Sequence, residues 1–401
     1  MKHISVFSKH FWPENFKIND VTFNLNKNFK INVYTSEPNY NNLKYKKLFK
    51  NNNLKRLKII YFKTFKKNKN NFFQISYDYI SYVFNLLLKI NFYLNKRADI
   101  CLTFATSPIF QAIPAIYYAR LKKIPSIVWV QDLWPEVLSD TGYIKNKIIL
   151  KFIDKIVKII YNKSDIVLAQ SKSFENHLKK KYHLKNKVYT LHQPSDYKFQ
   201  KFNSIKGGKY IITYAGNLGK AQDFDTILDA FKSNKINKNV KLNIIGSGKK
   251  FFYLKNKIDE YKINSKVTIT SYKNKKDLLK ILRFSSAFFL SLNQGESLDK
   301  TIPGKFQTYI AFGKPILVCS CGEINNIVVK NSIGLSSRPK NTKKLIFNIN
   351  KLSKMSEIKK KKIYFSSKKL YEELFDLKKI TYNLENYFYK AKKNYVKKSL
   401  L

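Results

Sequence analysis

Thr301 to Lys305, Thr-Ile-Pro-Gly-Lys, has the residue types needed to hold a phosphate. Proline fixes φ and glycine permits unusual φ, so Pro303 and Gly304 can turn backbone N–H groups into the start of the helix that follows. A helix N-terminus carries about half a positive charge and unsatisfied donors, which suits an anion. Lys305 adds a full charge there. Two further loops offer similar chemistry. Gly216 to Gln222 (GNLGKAQ) supplies backbone amides, the Lys220 cation and the side-chain amides of Asn217 and Gln222, with Gly219 between them. Gly246-Ser247-Gly248 lets a backbone approach a ligand closely. A glycine after a strand is often only a turn, so each loop alone says little. Three within one stretch of chain point to a nucleotide diphosphate.

The elements that must position these loops follow from apolar periodicity. In the first half, short apolar runs alternate with helical patterns, as in parallel α/β units. Strands are expected at His3 to Phe7, Lys30 to Thr35, Ile59 to Phe62, Ile100 to Phe104, Ser126 to Val130 and Ile166 to Ala169. Ser171 is placed to cap the helix carrying Glu175. Ile144 to Tyr161 reads as an amphipathic helix whose Ile148, Ile149, Phe152, Ile156 and Ile160 would pack on a core. A polar stretch, Gln193 to Lys209, ends in Gly207-Gly208 and separates the halves. The pattern then restarts with strands at Tyr210 to Tyr214, Val240 to Ile245, Val267 to Thr270 and Ala287 to Leu292. Thr301 to Pro315 follows as turn and helix ending at Gly313, and Ile316-Leu317-Val318 as a buried run. In parallel sheets all three glycine loops sit at the carboxyl edge of the strands and can converge. The expected fold class is α/β, with two Rossmann-like doubly wound domains facing across a cleft. The expected boundaries are 1–192, 209–375 and a basic helical tail, 376–401, that packs back on the first domain.

Composition narrows the function less than its extremes suggest. The 401 residues carry a formal charge of +51 with 44% hydrophobic residues. Such charge ordinarily points to nucleic acid or an anionic membrane. Here the excess is nearly all Lys, spread evenly and accompanied by Asn, Ile, Phe and Tyr, a set that A- and T-rich codons favour. Only five of the 77 basic residues are Arg, against a nucleic-acid reader. A basic surface still holds a protein to anionic headgroups by roughly 1 kcal/mol per well-placed Lys. Cys101, Cys319 and Cys321 form no metal or disulfide ladder and read as thiols in a reducing compartment. MKHISVFSKHF lacks a signal-peptide core, and no run reaches 18 apolar residues. Ile75 to Leu94 is the nearest to a spanning segment, interrupted by Asp78, Asn85, Lys89 and Asn91, and a core-facing helix is expected.

With these residues in view the chain resembles a family. FWPENFKIND (11–20), EPNY (37–40), SPIFQAIPAIY (107–117), WVQDLWPE (129–136), AQS (169–171), YAGNLGKAQDFDT (214–226) and TIPGKFQTYIAFGKPIL (301–317) are similar, in order, to motifs of two-domain GT-B sugar-nucleotide glycosyltransferases. The group is the large retaining one that builds bacterial polysaccharides, of the glycosyltransferase family 4 type, and the nearest subgroup is the WbuB-like L-fucosamine transferases. The resemblance spans about residues 1 to 335. It implies a UDP-sugar donor on the second domain and a lipid-diphosphate-linked sugar acceptor on the first. It implies no cofactor, no metal, no nucleic acid, and a cytoplasmic protein peripheral to the inner face of the membrane. The loop with Glu14, Lys17 and Asp20 would face the diphosphate across the cleft, and Asp132 would contact the transferred sugar. Trp134 offers a stacking face for a sugar, while Glu136 is read as either an acceptor contact or a helix cap.

Two departures separate the chain from the wider group. Where many members have a Glu pair, E-x7-E, alignment on Gly313-Lys314-Pro315 places Lys300 and Thr308. The group's Arg and Lys clamp falls on Asn217 and Gln222. The subgroup motifs instead imply that Lys220 and Lys305 neutralise the diphosphate, that Gln307 or Thr308 bonds the ribose, and that Glu323 reaches donor or sugar. Thr301, Pro303, Gly304, Gly246 and Gly248 complete the donor set. No His/Asp/Glu cluster is seen, so the expected chemistry is metal-independent. A sugar-nucleotide 2-epimerase of the same architecture and a basic nucleic-acid-binding protein are the alternatives; sparse histidines weigh against the first and scarce arginines against the second.

Overall fold

The computed structural model describes residues 1–38, 56–65, 72–93, 97–203 and 208–399. Asn39 and Tyr40 of the EPNY motif, Leu94 and Gly207 lie outside the described residues. Two compact units result, Met1–Pro194 joined by the C-terminal helix, and Ser195–Asp376.

The first unit is built on β1 (His3–Phe7), α1 (Lys17–Leu25), β2 (Lys30–Ser36), β3 (Leu57–Phe62), α2 (Phe72–Lys89), β4 (Ile100–Ala105), α3 (Ala112–Leu121), β5 (Ser126–Val130), α4 (Glu136–Asp140), α5 (Lys147–Lys163), β6 (Ile166–Ala169), α6 (Lys172–Tyr182) and β7 (Val188–Thr190). Its sheet is wholly parallel, in the order β3-β2-β1-β4-β5-β6-β7. The strands are continuous apolar runs because a parallel sheet is covered on both faces. Ile4, Val6, Leu102 and Trp129 pack on one side; Phe7, Cys101, Val128 and Val130 pack on the other. Ser171 caps α6 as expected, its hydroxyl accepting the Phe174 N–H at 3.0 Å. The order reverses between β1 and β4, so the loops after those strands flank the switch point where doubly wound sheets bind ligands.

The second unit repeats the plan with β8 (Tyr210–Ala215), α7 (Asp225–Lys232), β9 (Val240–Ile245), α8 (Phe251–Glu260), β10 (Val267–Thr270), α9 (Lys275–Phe284), β11 (Ala287–Ser291), α10 (Gly304–Ile310), β12 (Ile316–Cys319), α11 (Glu323–Lys330), β13 (Gly334–Ser337), α12 (Thr342–Ser353) and α13 (Glu357–Leu374). Its parallel order, β10-β9-β8-β11-β12-β13, reverses between β8 and β11. Lys314 is buried, and its ammonium donates to the carbonyls of Leu282, Arg283 and Ser285, closing the end of α9. The last helix, α14 (Leu377–Ser399), returns to the first unit. Ile380, Leu384, Phe388 and Ala391, spaced at one face of a helix, join the core that contains α1.

Several expectations fail on helix faces and edges. Ile148 and Phe152 point to solvent, 78% and 64% exposed. The core side of α5 is formed by Ile153, Val157, Ile160 and Tyr161 instead. α2 is apolar on two faces: Tyr82 and Leu86 are buried while Ile80 and Phe84 are open. The edge strands β7 and β13 have no strong apolar pattern and carry no sequence signal of their own. α10 ends at Ile310, and Gly313 follows with φ of 62°.

Candidate functional site

In the second unit the glycine loops meet because no side chain separates them. The Gly216 N–H donates to the Ile245 carbonyl and the Leu218 N–H to the Ser247 carbonyl, each at 2.9 Å. A Cβ on Gly246 would lie 1.8 Å from the Gly216 carbonyl oxygen, and one on Gly248 would lie 2.5 Å from that of Leu218. A Cβ on Gly216 would lie 2.5 Å from Lys305 Cε. The loops after β8 and β9 and the start of α10 are thus in contact at the carboxyl edge of the sheet. Pro303, extended at ψ 145°, is the N-cap of α10, with Gly304 its first residue.

Lys305 is the cation of this cluster. Its stem lies against Gly216 and its ammonium sits 4.8 Å from the Tyr214 ring centre. Burial lowers its pKa to about 8, because a desolvated ammonium loses hydration that the surroundings do not replace. An anion beside it would restore the missing counter-charge. Tyr214 in turn donates to the Asn217 carbonyl at 2.6 Å, and the Tyr309 hydroxyl accepts the Ala215 N–H at 2.8 Å. These two tyrosines tie α10 to the end of β8. Sequence reasoning passed over them, since a buried Tyr in a strand or helix reads as core.

The other donor-side residues fall into two groups. Asn217 and Lys220 are exposed on the first loop, and Glu323 opens α11, with its N–H on the Asp299 carbonyl at 2.8 Å. The remainder are turned inward. Gln222 is buried and accepts the Gly219 N–H at 2.9 Å, fixing the loop. Thr301 gives its hydroxyl to the Ser297 carbonyl, and Thr308 gives its hydroxyl to Asp196 at 2.7 Å. Gln307 is fully enclosed. Gln307 and Thr308, the two residues expected to bond a ribose, are thus both buried. One Asp-x-Asp spacing, Asp223-Phe224-Asp225, is present in this unit. Both carboxylates have partners within the unit: Asp223 takes Thr226 and the Lys340 N–H, and Asp225 takes Lys257 and Tyr253.

The first unit has its own polar focus at the carboxyl ends of β4 and β5. Asp132, just after β5, accepts from the Ser107 N–H at 3.0 Å and from its hydroxyl at 2.8 Å. Desolvation raises the Asp132 pKa, opposed by those two donors. Ser107 also accepts the Trp134 indole N–H at 3.1 Å, so one hydroxyl orients both residues. Ser107 lies within the SPIFQ motif, and a Ser-Pro after a strand was the available signal. Glu136 is committed otherwise: it receives Lys181 at 2.5 Å and His177 at 3.0 Å, and these lower its pKa to about 2 against desolvation. It opens α4 without capping it through its side chain. In the loop after β1, Glu14 is buried and meets His10 Nδ1 at 2.7 Å, while His10 stacks on Phe16 at 4.8 Å. Lys17 and Asp20 lie half-buried at the start of α1.

The polar floor of Ser107 and Trp134 borders a cavity of about 480 Å³ within this unit. Tyr79 and Ile80 of α2, Phe110, Leu138, and Ile153 of α5 line the rest.

Solved structures resemble the chain throughout its length. HepE of Anabaena in complex with UDP-glucose aligns with a TM-score of 0.70 at 11% identity, covering 96% of this chain and 99% of that one. The lipopolysaccharide outer core galactosyltransferase WaaB aligns at 0.66 and 12%, covering 97% and 99%. A glycosyltransferase of Rickettsia africae aligns at 0.67 and 15%, covering 97% and 98%. At such identities the likeness shows the fold, two parallel-sheet α/β units of the GT-B kind. No curated protein matches the chain in sequence. Residues 195–369 match the family described as "Glycosyl transferases group 1", so the second unit, with its convergent glycine loops, carries a glycosyltransferase group 1 domain.

Proposed function

We propose that the protein is a retaining glycosyltransferase. It moves a deoxy-amino sugar, such as N-acetyl-L-fucosamine, from a UDP-sugar to a lipid-diphosphate-linked acceptor in O-antigen, capsule or exopolysaccharide synthesis. The observation that carries the reading is the packing of the loop after β8 against both the Gly246-Ser247-Gly248 loop and Lys305 at the switch point of the second unit. HepE, of the same fold, is described in complex with UDP and with UDP-glucose, which supports a nucleotide-sugar ligand.

In this reading Lys305 and Lys220 neutralise the diphosphate, and Asn217 and the loop amides bond its oxygens. The bond from the anomeric carbon to the β-phosphate oxygen breaks, and its electron pair goes to the departing UDP. The acceptor oxygen bonds the anomeric carbon on the same face and passes its proton to the leaving phosphate. Preorganised cations lower the barrier because charge develops where they already point. Asp132, oriented by Ser107, is the residue assigned to the sugar, and Glu323 the second candidate. The chemistry proposed uses no metal. The protein works in the cytoplasm against the inner face of the membrane, where its acceptor resides.

The test is incubation of the purified protein with a panel of UDP-sugars and a lipid-diphosphate acceptor, products being read by mass. Transfer from one donor with the anomeric configuration kept supports the reading. Intact UDP binding without transfer from any donor removes it.

A further inference from the structure

Two helices of the first unit carry apolar stripes that the fold leaves open. On α5, Ile148, Phe152 and Ile159 repeat at four and seven residues and share one outward face, Ile159 being 57% exposed. Exposed lysines Lys147, Lys151, Lys155 and Lys158 lie beside that stripe. On α2, Tyr77, Ile80, Phe84 and Leu88 form a second stripe, with Ile80 62% exposed. The two helices border one cavity: Tyr79 and Ile80 come from α2 and Ile153 from α5. Ile80 belongs to both the open stripe and the cavity wall, so stripe and cavity are continuous.

The charge that α2 and α5 themselves turn outward is positive. α2 and α5 each contain a single acidic residue, and both are occupied inside the unit. Asp78 is fully buried against Lys9 at 2.9 Å. Asp154 meets the Tyr182 hydroxyl at 2.5 Å and Lys181 at 2.7 Å. On α5 what faces outward is apolar side chains bordered by lysines, and on α2 apolar side chains followed by the exposed Lys89, the pattern of helices that lie in a bilayer interface with their cations among the headgroups. Among the described residues no helix is long and apolar enough to cross a membrane, so the contact suited to this face is a surface one.

We propose that the first unit docks on an anionic lipid bilayer through the stripes of α2 and α5, with the cavity between these helices open to lipid hydrocarbon. A lipid chain entering there would reach Trp134, with Ser107 and Asp132 behind it. The inference rests on the proposed function only for the lipid-linked acceptor; the surface itself stands on exposure and charge. Lys147, Lys151, Lys155 and Lys158 along the α5 stripe match anionic headgroups in charge, and the apolar residues between them match the hydrocarbon beneath.

Sedimentation with vesicles tests this, using the full chain and phosphatidylcholine vesicles with or without phosphatidylglycerol. The protein is expected to pellet with the anionic vesicles and to lose binding at high salt. Ile148→Ser, Phe152→Ser and Ile159→Ser together should lower the partition coefficient by roughly tenfold or more, as their burial in the interface is lost. Lys151→Gln and Lys155→Gln should each lower it by about fivefold. All these side chains are exposed, so an unchanged melting temperature and UDP affinity are expected and show that the fold is intact. Phe252→Ser and Phe365→Ser, exposed apolar changes in the second unit, should leave partitioning unaltered. Binding of the triple variant to anionic vesicles at the wild-type level, or a stripe buried in a dimer in solution, overturns the proposal. Vesicle binding without sugar transfer would remove the proposed function and leave the docking surface standing. Transfer to a water-soluble acceptor without vesicle binding would do the reverse.

Discussion

Lys305→Met is the change that bears most directly on the donor site. The ammonium lies 4.8 Å from the Tyr214 ring centre with its stem against Gly216, and its pKa is lowered to about 8 by burial. A hydrogen bond to a charged group contributes about 1.5–3 kcal/mol. Its removal should therefore weaken UDP binding roughly 10- to 150-fold. The pH dependence adds a sharper signature. Only the protonated form attracts the diphosphate, and bound diphosphate raises the lysine's pKa again. Affinity is then at its plateau well below pH 8 and is lost as pH rises through about 8. Wild-type affinity should drop roughly tenfold between about pH 7 and about pH 9, whereas the methionine variant should show no such step. Calorimetric titration of UDP at several pH values reads both effects. A variant that binds UDP as tightly as wild type, with the same pH profile, would refute the role given to Lys305.

Three further changes probe the site and its support. Asp132→Asn keeps the shape and the Ser107 contacts but removes the charge, so turnover should fall by roughly 100-fold or more with UDP affinity unchanged; near-normal turnover in a steady-state assay counts against Asp132. Gly246→Ala places a methyl where the Gly216 carbonyl sits, and the forced shift should cost about 1–3 kcal/mol and weaken UDP binding; an unaltered melting temperature and affinity would show that the loops do not depend on that contact. Lys9→Met strands Asp78 in the interior without its partner, at a cost of about 3–5 kcal/mol by denaturant titration. Lys9→Met with Asp78→Leu should recover most of that loss, and a double variant no better than the single one would mean that the pair is not the source.

Much of the fold was legible because parallel strands are short, wholly apolar and bounded by turn residues. Ser126 to Val130, Ile166 to Ala169 and Val240 to Ile245 coincide with strands to the residue. The glycine loops were legible for a related reason: a chain that must approach another backbone closely has few residue types to choose from. The faces of α2 and α5 were not legible. Both helices have apolar residues on more than one side, and periodicity cannot say which side meets the sheet. Ile148, Phe152 and Ile153 are all good core residues, yet only Ile153 is buried.

Site residues divide along the same line. The sequence by itself determined the kinds of group at the strand ends: glycines, Lys220, Lys305, Asp132 and the Ser-Pro at Ser107. Tertiary structure alone decided which candidate polar groups are already taken by partners within the fold. Gln222 and Thr308 have the chemistry for a donor contact and give it to Gly219 and Asp196; Glu136 gives its own to Lys181 and His177. The physical reason is that a buried polar group must find a partner wherever the fold places it. Spacing along a chain fixes neither that partner nor the direction in which a side chain points.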